Sequence, residues 1–177
     1  MFADAPDTFR NRPPRFAEAG ELVSVGLDHH GREALLAPPA AAAWRAMARA
    51  AAADGRTLLL VSAFRSIARQ AAIVQRKRER GQSWEEILRV SAYPGFSEHH
   101  TGCAVDLSAP GCADLTETFE TTPEYAWLRA HAGRFGFRLS YPRGNAEGIV
   151  YEPWHWRWHA DRTDQPQEGT WISSPGP

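Results

Sequence analysis

The sequence has little of what would tie it to a membrane, to nucleic acid or to a covalently stapled fold. No apolar run approaches the roughly 20 residues that a transmembrane helix needs. The opening MFADAPDTFRNRPPRF has no apolar core of the kind a secretory signal requires. Lys and Arg number 20 against 21 Asp and Glu, a net charge of −1. There is therefore no basic field, and no basic patch with interleaved aromatics, to hold nucleic acid. Cysteine is scarce, with only Cys103 and Cys112, spaced neither as a zinc knuckle nor as a redox CxxC pair. Two readings stand for them: a disulfide across a loop in an oxidising compartment, or two separate, partly buried thiols. The compartment stays open in the same way, between the cytoplasm and, if a signal has been removed, the cell envelope or periplasm.

What is present is an ordinary soluble composition. Hydrophobic residues are 43% and charged residues 23% of 177, enough for one domain with its own core and an expected monomer. Residues 1–20 carry Pro6, Pro13 and Pro14 and read as an irregular arm. Residues 162–177, rich in Pro, Gly, Gln and Ser, read as an irregular tail. That leaves 21–161 as the domain, with no internal repeat.

Leu22–Val25 alternates like a short strand, and Asp28-His29-His30-Gly31 reads as a turn. From Pro38-Pro39 to Asp54, Trp44, Met47 and Ala51 recur at helical spacing, with proline at the start and Gly55 past the end. Thr57–Phe64 is a continuous apolar run and reads as a buried strand. Ser66 caps a second helix bearing Ile67, Ala71, Ile73 and Val74, and the run Arg76-Lys77-Arg78-Glu79-Arg80 reads as its solvated end. Ser83-Trp84-Glu85-Glu86 has the form of a capping box. Cys103–Leu107 is strand-like, and Pro123–Arg134 reads as a helix closed by Gly136. Phe137–Ser140 and Gly148–Tyr151 are late strand candidates, joined by turn chemistry at Tyr141–Asn145. Helices and short strands mix without a regular βαβ alternation, which points to the α+β class.

Three segments carry chemistry: Ser62-Ala63-Phe64-Arg65-Ser66, Ser97-Glu98-His99-His100-Thr101-Gly102-Cys103-Ala104-Val105-Asp106, and Glu152-Pro153-Trp154-His155-Trp156-Arg157. A hydrolytic zinc site needs three imidazole or carboxylate ligands and an open fourth position. It also needs a carboxylate outside the ligand set to move a proton from water to the leaving amine. If the chain turns at Gly102 and runs on as a strand, His99 and Asp106 can face one point. Pro153 keeps Glu152 and His155 off a helix, which frees Glu152 to face the reacting water while His155 binds metal. Each residue alone is weak evidence, since most histidines are no ligand and Trp154, Trp156 and Trp158 at period two read as one strand face. The constellation is far more specific than its members.

SEHHTGCAVD resembles the SxHxxGxAxD motif of the zinc D-alanyl-D-alanine carboxypeptidases of the vancomycin-resistance type. EPWHWRW is similar to that family's ExxH motif and SAFRS to its SGYRS segment, all in the family's order, between Ser62 and Trp158. The resemblance implies a small antiparallel sheet flanked by helices, of the hedgehog/DD-peptidase-like kind. It implies Zn2+ held by His99, Asp106 and His155, with Glu152 as general base and acid. It implies Arg65 as the clamp on the substrate's terminal carboxylate, a task for a planar bidentate cation, with Ser97 and Gln70 as further substrate contacts. An arginine directly after a buried strand also stands where binding groups are common. The implied substrate is a peptidoglycan stem peptide, its precursor or a muropeptide, cut before a terminal D-alanine. Phe64 stands for the family's Tyr, Ala63 for Gly and Cys103 for an aliphatic residue; these departures bear on substrate preference and not on metal. Pro153, where free-dipeptide hydrolases carry a second Trp, favours the carboxypeptidases. An L,D-carboxypeptidase or an endopeptidase would use the same metal site, and Arg65 weighs against the endopeptidase. A non-catalytic zinc module that binds cell-wall peptide is the rival from another class, and the presence of Glu152 weighs against it. His100 and His159 read as structural, with support of a ligand or a transition-state contact as the alternative, and His29 and His30 receive no role.

Overall fold

The computed structural model describes residues 15–146 and 149–160; most of the N-terminal arm and all of the C-terminal tail lie outside these. A hairpin of β1 (Val23–Leu27) and β2 (Glu33–Leu36) leads into α1 (Pro38–Ala53), whose buried Ala40, Trp44, Met47 and Ala51 form one stripe at helical spacing. Burying a side chain such as Met47 contributes roughly 1.5–3 kcal/mol. β3 (Leu59–Ser62) is shorter than the apolar run containing it and is followed by α2 (Ile67–Glu79), whose first turn is closed by the Ser66 hydroxyl accepting from Arg69 N. α3 (Trp84–Val90) starts with the expected capping box between Ser83 and Glu86. After β4 (Ala104–Ser108) come α4 (Pro123–His131), β5 (Phe137–Leu139) and β6 (His155–Trp158).

The class is α+β, as the order of elements implied. Strands pair in the order β3-β4-β6-β5, every pair antiparallel. The β1–β2 hairpin sits against β3, which would otherwise be an open edge: His29 N donates to Leu60 O and Phe64 N to Leu35 O, each at 2.9 Å. One sheet face carries Val105, Leu107, Leu139 and Trp156 into a core shared with α1 and α4. Because side chains alternate along a strand, Asp106 and His155 point the other way. There, a smaller cluster of Val74, Trp84, Ile87, Leu88 and Tyr93 ties α2 to α3 and leaves a cleft of about 320 Å³ between itself and the sheet.

Three expectations are corrected. Ile149–Tyr151 is not a strand: Asn145 takes both the N–H and the C=O of Ile149 through its side-chain amide, so that backbone has nothing left for a ladder, and the last strand lies at His155–Trp158. Pro123–Arg134 is α-helical only to His131 and tightens into a 3-10 turn over Ala132–Phe135 before Gly136. The basic run ending α2 is solvated at Arg76, Glu79 and Arg80, but Lys77 turns back. Its Nζ donates to Ser91 Oγ at 2.6 Å and it lines the cleft. Part of the N-terminal lead-in packs in order: Phe16 N donates to Gly95 O and Ala19 N to His100 O, each at 2.8 Å.

Candidate active site

Two local features bring the SEHHTGCAVD residues to one point. Glu98–Thr101 forms a single 3-10 turn, ended by Gly102 at φ +65°, the left-handed region that favours glycine. A Cβ there would meet Ala37 N at 2.8 Å, so the close approach of β2's end also demands glycine. The chain then enters β4, where Asp106 stands directly across from His155 on β6 and Ser62 on β3. Antiparallel register, and not sequence proximity, joins residues 49 positions apart.

His99 Nε2 lies 3.1 Å from Asp106 Oδ2, and His155 Nδ1 lies 3.0 Å from Asp106 Oδ1. All three side chains are buried, and their ligand atoms fall within 4.8 Å of one another. The remaining ring nitrogens are already engaged. His99 Nδ1 donates to Ala63 O at 2.7 Å, and His155 Nε2 donates to Glu98 Oε2 at 2.9 Å. Each imidazole is thereby left one nitrogen facing the carboxylate, the arrangement that a metal-ligating histidine requires. Two imidazoles and a carboxylate suit zinc, so the residues fit the ion.

Electrostatics divides the carboxylates. Burial works to raise Asp106, yet the His99 and His155 imidazoles against it hold it well below the usual range. Burial likewise works to raise Glu98, but His155, Ser140 and Arg157 keep it at about 2. Glu152 goes the other way: burial pushes it up to about 7, with Asp106 and Glu98 adding to the effect against the pull of His155 and Arg65. It faces the cleft with its Oε2 4.0 Å from His155 Nδ1. Glu152 alone of the three has a proton affinity matched to neutral pH.

Arg65 lines the same cleft, its guanidinium 4.0 Å from Asp106 Oδ2. Its Nε and the Oε1 of Gln70 are both buried without a hydrogen-bond partner. Gln70 is anchored by its other end, Nε2 donating to Ala92 O at 2.6 Å. Ser97 is buried on the cleft wall. The seven residues singled out from sequence thus share one site. His100, expected to be structural, is buried and donates from Nδ1 to Arg65 O at 2.6 Å while Gly95 N donates to its Nε2, fixing the backbone behind Arg65. His159 does not line the cleft. Cys103 and Cys112 are free thiols.

The sequence reading gave no role to Glu98 or Tyr141. Glu98 receives Ser140 Oγ at 2.6 Å and Arg157 at 3.0 Å besides His155, and the Tyr141 ring packs 4.8 Å from that of His155. Glu98→Gln keeps the shape and removes the charge beside the His155 ring, a charge that would make His155 a better ligand if it binds zinc. Zinc affinity should fall about 10-fold, the low end for such partners. Competition against a chelator measures it, and an unchanged affinity would remove Glu98 from this role.

Residues 33–161 match the VanY D-alanyl-D-alanine carboxypeptidase family. The chain belongs to this family. YodJ of Bacillus subtilis, named as a carboxypeptidase, is 39% identical over 127 residues, covering 67% of this chain. The chain spans 44% of that relative, less than half its length. Among solved structures, the LdcB LD-carboxypeptidase superposes with a TM-score of 0.73 at 31% identity, covering 83% of this chain and 72% of its own. The vancomycin resistance D,D-pentapeptidase VanY in complex with Zn(II) gives 0.63 at 27%, covering 84% and 83%. Among the described residues of this VanY-family chain, no helix is long and apolar enough to cross a membrane.

Proposed function

We propose that this chain is a zinc-dependent carboxypeptidase that removes the terminal D-alanine of peptidoglycan stem peptides or their precursors. The observation that carries the reading is the buried His99–Asp106–His155 cluster, with Glu152 and Arg65 beside it in one cleft. Zinc held by those three residues would supply Lewis acidity to the scissile carbonyl and acidify water. The chain's own groups do the rest. Glu152 accepts the proton of the attacking water and passes it to the leaving amine, and its raised proton affinity suits both halves of that task. Arg65 receives the terminal carboxylate through paired N–H donors, and Gln70 Oε1 offers an acceptor to an N–H of the same terminal residue. Leu88, Tyr93 and Phe96 form an apolar wall that excludes water from the charges.

A second reading is favoured by the likeness to LdcB: the same residues would act on a peptide whose last bond joins an L-residue to D-alanine. Incubating the zinc-loaded protein with a pentapeptide ending in D-Ala-D-Ala, and with the tetrapeptide that lacks the last residue, separates the two. Release of D-alanine from the pentapeptide is expected. Release from the tetrapeptide alone would move the assignment to L,D-cleavage, and release from neither would favour a binding module. Losing a hydrogen-bonded contact to a charged group costs about 1.5–3 kcal/mol. Arg65→Ala should accordingly lower kcat/KM by about 10–100-fold, mostly through KM. An amidated C-terminus should erase the difference between native and variant; a variant that still discriminates against the amide would exclude Arg65 as the clamp.

A further inference from the structure

Away from the cleft, the tip of the β1–β2 hairpin holds a second group of ligating atoms. His29 Nε2 and His30 Nε2 lie 2.7 and 2.8 Å from the same oxygen, Asp114 Oδ2. The three side chains bring their ligand atoms within 4.8 Å of one another. Consecutive residues on an extended strand point to opposite faces; here two adjacent imidazoles converge, with ring centroids 4.1 Å apart. The turn is built to present them together. Buried Asp28 accepts from the N–H of His30 and of Arg32, each at 2.9 Å, and from the Arg32 guanidinium at 2.7 Å. Gly31 takes φ +76°, and His29 N is tied to Leu60 O. Asp114 arrives from the loop after β4, 85 positions along the chain. Two imidazoles stacked against one carboxylate oxygen are crowded as cations and redundant as neutral donors. They are well matched to one divalent cation.

We propose that His29, His30 and Asp114 form a second zinc site, separate from the one in the cleft. Two imidazole nitrogens and a carboxylate oxygen supply three of zinc's four positions, and the partial exposure of all three side chains leaves the fourth to water. The ion staples the hairpin to the loop that carries Leu115. Leu115 lines the cleft and holds a left-handed conformation, φ +53°, so the staple steadies one rim of the substrate site.

Zinc content of the tag-free protein, measured after equilibration with buffered zinc, tests this. The native chain should hold two equivalents. His29→Ala/His30→Ala should hold one and Asp114→Asn also one, while His155→Ala keeps the hairpin ion and loses the other. In the metal-stripped native protein with zinc about tenfold above its dissociation constant, filling the hairpin site should raise Tm by about 3 °C; in the hairpin variants that part of the rise should vanish. One equivalent in the native protein that is lost in His155→Ala would overturn this proposal and leave the catalytic assignment standing. One equivalent that persists in His155→Ala and is lost with the hairpin histidines would do the reverse. Two equivalents retained by both hairpin variants would show that the second ion lies elsewhere.

Discussion

Glu152→Gln is expected to keep its zinc and to lose turnover by about 10²–10⁴-fold, the range for removing a positioned general acid–base group. Glutamine has the same shape and can still receive a hydrogen bond, but it can neither take nor return a proton. The loss should fall on kcat, with KM changed little, because the group acts as the proton moves and not as the peptide binds. The position of Glu152 fits proton transfer better than ligation. It lies 4.0 Å from His155 Nδ1, outside the close set formed by His99, Asp106 and His155. Single-turnover rates and metal content measured on one preparation decide the matter. Substantial residual turnover would mean that another base works; zinc lost along with activity would make Glu152 a ligand.

The parts of the site that were legible in sequence are those fixed by short-range chemistry. Gly102, with its neighbours, announced a turn followed by a strand, and the turn needs glycine because a side chain would collide with Ala37 N. Pro153 announced that Glu152 and His155 are not helical, and His155 N closes that turn on Glu152 O. The capping box at Ser83 and the proline-led α1 follow from local rules in the same way. What was not legible depends on register and on side chains that replace backbone partners. Glu98 reaches β6 because a 3-10 turn aims it across the sheet at His155 and Arg157, and no spacing in the chain encodes that. Ile149 looked like a strand residue until Asn145 took its hydrogen bonds. Lys77 sat in a charge run whose average reads as solvent-facing, while its own position on α2 turns it toward Ser91. His29 and His30 gave no signal because their third partner, Asp114, is brought to them only by the return of the chain after β4.

His155→Ala should have the broadest effect of any single change, because this side chain joins the proposed zinc ligands to Glu98 and Arg157 behind them. It should remove the catalytic zinc equivalent and bring hydrolysis below the level of Glu152→Gln. It should also cost stability. His155 bridges Asp106 and Glu98, hydrogen-bonding to each from one side of the ring. Deleting it leaves buried Asp106 and half-buried Glu98 facing a gap, and breaking a buried pair costs about 3–5 kcal/mol. Loss of fold and loss of ligand are separated by Asp106→Asn, which keeps the side-chain volume and a hydrogen-bond acceptor while removing the charge. If the reading holds, Asp106→Asn melts as a folded protein and still fails to retain zinc in the cleft. A His155→Ala protein that folds and keeps the cleft ion would refute the ligand assignment outright. One that folds as stably as the native chain would show that the bridge between Asp106 and Glu98 contributes little.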